Sequence, residues 1–261
     1  MINATLVLFI MSPPESFSGE VSELASNSDS KIARTVHIRL ASASKRRAEW
    51  LAENFSKLGI EFSQLPLVST EPVAKSGFVS EQVESILDWK VSAAEIEINL
   101  EIESLRNVSD GIQDGLEQGG IVGLPHYIIV ADTMVEDPDD TNLALGQPWN
   151  ISNAAAMLLR LSGRRHLVWS GTAVLTPDSK LGWRRPTLIS KSVESATVEI
   201  DEITDSNLQE LLESESWRGK AGAYDLVGPM RKHARLVDGE EVSVLGFAPT
   251  AIRKLKSMVI D

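Results

Sequence analysis

Tyr127-Ile128-Ile129-Val130-Ala131 is apolar at every position, the pattern of a strand whose two faces are both covered. A strand of that kind needs packed layers on either side of its sheet. The rest of the chain supplies them, because strand-like and helix-like segments alternate along it. Val36, Ile38 and Leu40 alternate as a strand, and Ala48, Leu51, Phe55 and Leu58 then fall on one face of a helix over 45–58, with Gly59 at its end. Phe62 to Val68 reads as a second strand. Glu81 to Ile98 has helical spacing through Val83, Ile86, Leu87, Val91 and Ala94. Further on, Ser152 is placed to cap a helix ending at Leu161 and closed by Gly163, and His166 to Leu175 and Val193 to Ile200 read as strands. Asp205 is placed to cap a helix over 207–213, short strands and turns follow Gly219, and a last helix runs from Pro249 to Met258. The expected class is therefore α/β with a central twisted mixed sheet.

Within that frame, 34–261 reads as one domain. The acidic, glycine-bearing stretch 99–120 keeps no period and is expected to be a surface insertion. Residues 1–33 are expected to be a mobile appendage, since 12–31 are rich in Ser, Glu and Pro. The apolar run Leu6 to Met11 is too short to span a bilayer and has no Lys or Arg before it, which leaves a weak signal peptide as the competing reading.

Composition excludes several functions. The chain has no cysteine, so disulfides, zinc–thiolate sites and cysteine nucleophiles are ruled out, and a reducing cytoplasm is the expected location. A formal charge of −12 argues against a nucleic-acid polymer as partner. The four histidines lack metal-ligand spacing, and neither a Walker A loop nor a G-x-G-x-x-G occurs.

Against this acidic background, Leu40-Ala41-Ser42-Ala43-Ser44-Lys45-Arg46-Arg47 stands out. Ser44 is a natural N-cap, which puts three cations into the first turn of a helix, where the macrodipole favours acids. A serine-rich turn with free N–H groups and added cations is suited to an anion, most simply phosphate. The competing reading is a solvated basic turn. Asp132 interrupts the apolar stretch Ile128 to Val135, where a carboxylate needs a cation, a metal or hydrogen bonds; a strand-end turn is the alternative. Glu71 follows the second strand and could join Asp132 around Mg²⁺ or Mn²⁺, ions that take few protein oxygens and share phosphate ligands, or it could be a plain loop residue. Lys90 could bring a point charge to a phosphate, or snorkel from its helix.

Four blocks in order resemble the Maf family of nucleoside triphosphate pyrophosphatases, also called septum formation inhibitor proteins. Leu40 to Arg47 is similar to L-A-S-x-S-P-R-R, with Lys45 for the proline, and Ala131-Asp132-Thr133 is similar to A-D-T. Leu161-Ser162-Gly163-Arg164 through His166, Val168, Ser170 and Gly171 resembles L-S-G-x-x-H-x-V-x-[ST]-G, and Lys220 to Tyr224 reproduces K-A-G-A-Y. The resemblance implies a two-lobed Maf/ITPase-like fold with a nucleotide cleft between the lobes, often a homodimer, with no membrane association. It implies hydrolysis between the α and β phosphates, giving a monophosphate and pyrophosphate, with a divalent cation (Mg or Mn) as cofactor. Asp132 then takes the catalytic carboxylate's place and, with Glu71, holds the metal; Ser42, Ser44, Arg46, Arg47 and Lys90 bind phosphate. Arg47, Thr133 and Val227 fall at positions linked to base selection, and Glu71, Gln147 and Lys220 at further cleft positions. The K-A-G-A-Y block resembles the branch acting on dTTP and UTP rather than the branch acting on 7-methyl-GTP.

Three departures bear on function. The family's G-K-P is Gly146-Gln147-Pro148, its Y-x-I-Q-G is Tyr224-Asp225-Leu226-Val227-Gly228, and its N-V-V-G-L-P is Ser243-Val244-Leu245-Gly246-Phe247-Ala248. An amide thus replaces a phosphate-facing cation and valine replaces a base-reading glutamine, changes that weaken turnover and base discrimination. A nucleotide-binding or regulatory protein that kept the fold is the alternative expectation.

Overall fold

The structure, a computed structural model, describes residues 36–109, 124–177 and 186–260. In chain order the elements are β1 (His37–Leu40), α1 (Lys45–Phe55), β2 (Glu61–Gln64), α2 (Val79–Ser109), β3 (Tyr127–Asp137), β4 (Asp140–Leu145) and α3 (Ile151–Leu161). They continue as β5 (Arg165–Pro177), β6 (Pro186–Ile200), α4 (Asp205–Glu213), β7 (Ala234–Asp238), α5 (Glu241–Leu245) and α6 (Pro249–Ile260). The strands form one mixed sheet in the order β2-β1-β3-β5-β6-β7, with β4 also on β3. β1 runs parallel to β2 and β3, and the other pairings are antiparallel.

The continuous apolar run of β3 has two audiences. Ile128 and Val130 pack with Leu87, Val91, Ala94 and Ile98 of α2, whereas Ile129 and Ala131 pack with Leu51 and Phe55 of α1 and with Ile252 and Leu255 of α6. Alternation along the strand sends neighbouring residues to opposite layers, so every position must be apolar. Farther along β3, Val135 joins a third cluster with Leu158 and Leu161 of α3, Leu211 of α4, and Trp217 and Tyr224.

β3 is longer than either β1 or β4, which share one of its edges, and that difference opens the cleft. Its first residues pair with β1 as far as Ile129, and its last residues pair with β4 from Val135 on the same edge. Between them the edge is bare, and the chain leaving β1 turns away after the Ala41 N–H donates to the Ile129 carbonyl (2.8 Å). Ligands collect at such interruptions, where side chains from diverging elements converge.

Several sequence expectations are corrected. The stretch 99–109 is not an insertion but the end of the 31-residue α2; residues 110–120 lie outside the described residues, as do 1–33. Ile98 and Ile102, one turn apart, stay buried on the sheet, and Arg39 of β1 grips Glu101 through two hydrogen bonds of 2.5 and 3.0 Å. These contacts come from distant strands, so the acidic local composition hid them. Asn150 and Thr204, not Ser152 and Asp205, cap α3 and α4, each accepting an N–H three residues on. Strand β2 stops at Gln64, short of Val68, and Asp132 lies within β3 rather than at its end.

Candidate active site

Ser44 caps α1 by accepting the Arg47 N–H, and the turn before it is held by Gln64, whose amide donates to the Ser42 carbonyl at 2.7 Å. The cavity beyond it, about 520 Å³, is lined by Ser42, Ser44, Arg46, Arg47, Glu71, Lys90, Asp132, Thr133 and Gln147, with Ala41, Leu67 and Trp89 among the apolar lining residues. The basic turn, the β3 carboxylate and the α2 lysine therefore meet in one place. Lys45 is exposed and does not line the cavity.

The two arginines behave differently. Arg47 is buried, and its guanidinium donates to the Gly246 carbonyl (2.9 Å), Ser42 Oγ (3.1 Å), the Ala131 carbonyl (3.2 Å) and Thr133 Oγ1 (2.7 Å). Thr133 Oγ1 contacts Ser170 Oγ at 2.9 Å, and Ser170 donates to the Ser243 carbonyl at 2.7 Å. Arg47 thus staples α1 to β3 and to the end of α5. Burial lowers its guanidinium to about 10, with Asp132 pulling the other way, so it stays charged at neutral pH. Gly246 makes the approach workable: its φ is +110°, and a Cβ there would stand 2.7 Å from Arg47 Nε. Arg46, by contrast, has Nη1 3.6 Å from Asp225 Oδ1, and its buried Nε has no partner.

Lys90 does not snorkel. Its Nζ donates to Asp132 Oδ1 at 2.6 Å and to the Ala131 carbonyl at 3.3 Å, and lies 2.9 Å from Glu71 Oε2. The Ala131 carbonyl faces the bare edge of β3, and Lys90 and Arg47 supply the donors that a neighbouring strand would have given. Asp132 Oδ2 is buried and unpartnered. A buried carboxylate oxygen without a donor is costly, and it is completed by a proton, a water or a cation in the cleft.

That orphaned oxygen, with half-exposed Glu71 across Lys90, fits a divalent cation held by one or two carboxylates and completed by water and phosphate. No group of three or more His, Cys, Asp or Glu side chains suited to a metal occurs among the described residues. The cleft-lining charges are three cations (Arg46, Arg47, Lys90) against two carboxylates (Glu71, Asp132), too small a surplus to neutralise a polyphosphate unaided.

Two expected cleft residues lie elsewhere. Val227 is 50% exposed and does not line the cavity. Lys220 does not line it either; Gly219 and Ala221 do, while Lys220 Nζ contacts Asp225 Oδ2 at 2.9 Å. Burial pushes the Asp225 carboxyl up, but Arg46 and Lys220 outweigh it and hold it below the usual carboxylate range. The sequence reading missed Gln64, Ser170, Gly246 and the contacts of Asp225. Ser170 and Gly246 sit inside motif blocks, which was a signal, whereas Gln64 carried none.

An α/β sheet interrupted at a cationic helix start, facing a lysine-held aspartate, defines a cleft whose chemistry suits an anion. The chain belongs to the Maf family: the family described as Maf-like protein matches residues 37–258. It is 30% identical over 218 residues to a human protein named probable bifunctional dTTP/UTP pyrophosphatase/methyltransferase, covering 83% of this chain and 31% of that one. It is 35% identical over 121 residues to a dTTP/UTP pyrophosphatase of Granulibacter bethesdensis, 46% of this chain and 52% of that one. A dTTP/UTP pyrophosphatase of Rhizobium etli is 29% identical over 208 residues, covering 80% and 85%. The chain therefore spans about a third of the human relative's length and about half of the Granulibacter one's. No helix among the described residues is long and apolar enough to cross a membrane.

Proposed function

We propose that this protein hydrolyses a nucleoside triphosphate between its α and β phosphates, releasing a monophosphate and pyrophosphate, with dTTP- or UTP-like nucleotides as the substrate class. The observation that carries the reading is the Lys90–Asp132 pair: on a residue that lines the cleft, Oδ1 is held at 2.6 Å while Oδ2 is buried and unpartnered. The names of the relatives support the nucleotide class.

Asp132 Oδ2 is the base that takes a proton from the attacking water. Lys90 fixes the carboxylate through Oδ1 and leaves Oδ2 without a protein partner. The α1 N-terminus and Arg46 face the phosphates and oppose the negative charge that grows on the oxygen leaving the α-phosphorus. Arg47 acts through position: it holds the turn, β3 and α5 in register and adds its charge to the field of the cleft. Glu71 and Asp132 would alternatively hold a divalent cation that supplies charge neutralisation on the phosphates, Oδ2 then serving as ligand in place of base. Thr133 and Arg47, hydrogen-bonded to each other, both line the cleft and are the base-selecting candidates that remain there.

The test is pyrophosphate release with Mg²⁺ or Mn²⁺ across common and modified nucleoside triphosphates. Asp132→Asn, which keeps the shape and removes the base, is expected to slow release by about 10²- to 10⁴-fold. Gln147 in the cleft wall, where the family pattern carries lysine, favours a second reading, a nucleotide-binding protein with little turnover. Tight nucleotide binding without pyrophosphate release would decide for it.

A further inference from the structure

Arg46 is the cleft-lining cation that the scaffold leaves without a hydrogen bond, and it shares one carboxylate with Lys220, which stands just outside the lining between Gly219 and Ala221. Asp225 Oδ2 is 2.9 Å from Lys220 Nζ, and Oδ1 is 3.6 Å from Arg46 Nη1. The carboxylate is set in place by its own turn. Val227 N–H donates to Oδ1 at 3.2 Å, Gly228 N–H donates to the Asp225 carbonyl at 3.1 Å, and the preceding residue, Tyr224, is anchored by its hydroxyl on buried His166 Nε2 at 2.8 Å. Arg46 is left underused, too far from Asp225 for a hydrogen bond and with its buried Nε unpartnered.

We propose that Asp225, held by Lys220, is a specificity-determining residue, a resident anion that a ligand phosphate must displace from Arg46 and that limits how tightly the cleft retains a polyphosphate. The proposal rests on the cleft being a polyphosphate site, as in the reading above. A ligand oxygen arriving at Arg46 exchanges one anion for another, so the gain is smaller than a free arginine would give. Released pyrophosphate, which would otherwise be held by the same arginine, leaves more readily.

The test is calorimetric titration of the full chain with inorganic pyrophosphate at fixed ionic strength, alongside thermal unfolding. Asp225→Asn keeps the oxygen that accepts the Val227 N–H and removes only the charge, so it is expected to tighten pyrophosphate by about three- to fivefold, the scale of one ion-pair contribution. Lys220→Gln is expected to weaken binding, because Asp225 is then left to Arg46 alone, and adding Asp225→Asn to it should restore most of the loss. Unchanged or weaker binding in Asp225→Asn overturns the proposal, whether or not the unfolding temperature moves. Failure of pyrophosphate to bind either form overturns it too. Binding is read without turnover, so a protein that tightens as expected yet hydrolyses nothing refutes the proposed function and leaves Asp225 in its role.

Discussion

The two walls of the cleft are built by different means. One wall, from β1, α1, β3 and α2, is regular backbone whose functional side chains are locked by hydrogen bonds to the scaffold: Arg47 makes four, and Lys90 ties Asp132 to the Ala131 carbonyl. The other wall, residues 216–232, is a run of tight turns with left-handed backbone at Gly219, Gly222 and Ala223, and its charged groups hold one another. A wall built on regular elements fixes a carboxylate to a fraction of an ångström, as proton transfer requires. A wall made of turns can exchange its internal ion pairs for those of a ligand.

The sharpest way to break this contrast is to exchange the adjacent arginines. Arg47→Lys keeps the charge but cannot reach four acceptors, so unfolding in denaturant should show a loss of at least about 3 kcal/mol, two or more charge-assisted hydrogen bonds being removed. Arg46→Lys should cost under about 1 kcal/mol, since its single contact is a loose ion pair. Equal losses would mean that the first wall is not the rigid one.

A smaller effect is expected from the anchor of the second wall. Burial lowers His166 from 6.5 to about 4, so between those values the unfolded chain binds a proton that the folded chain does not. Stability therefore rises with pH across that window and is lost as pH falls through it, by up to roughly 3 kcal/mol. Denaturant midpoints at pH 7 and pH 5 should diverge less in His166→Gln than in the parent; an identical divergence would remove His166 from this role.

The smallest effects separate two left-handed glycines. Gly246→Ala puts a Cβ 2.7 Å from Arg47 Nε and strains a φ of +110°, and should cost about 1–3 kcal/mol and disturb the arginine staple. Gly163→Ala, at φ +69° with nothing within 4 Å, should cost about 1 kcal/mol in melting experiments and leave nucleotide binding as it was. If the two lose the same stability, backbone strain alone accounts for both.

Much of the first wall was legible from the chain because its signals are local. Ser44 as cap, the cationic first turn and the apolar repeat of α1 all lie within about one helix length, and Asp132 is conspicuous among apolar neighbours. The second wall was not legible. Val227 and Lys220 sit at expected cleft positions along the chain, yet neither lines the cavity. The last turns of α2 were misread for the same reason, since Arg39 and the strands that bury Ile98 and Ile102 are remote in sequence.

The sequence by itself determined the alternating α/β layers, the anion-suited start of α1 and the placing of a lone carboxylate in an apolar strand, because side-chain period and capping act over a few residues. Only the tertiary structure decided which charges are available. Arg46 and Arg47 are neighbours of the same type, but a bare strand edge, a carbonyl at Gly246 and a carboxylate at Asp225 make one a structural staple and leave the other facing the cleft. That division depends on acceptors brought together from β3, α5 and the 216–232 turns, and no local pattern records where they will meet.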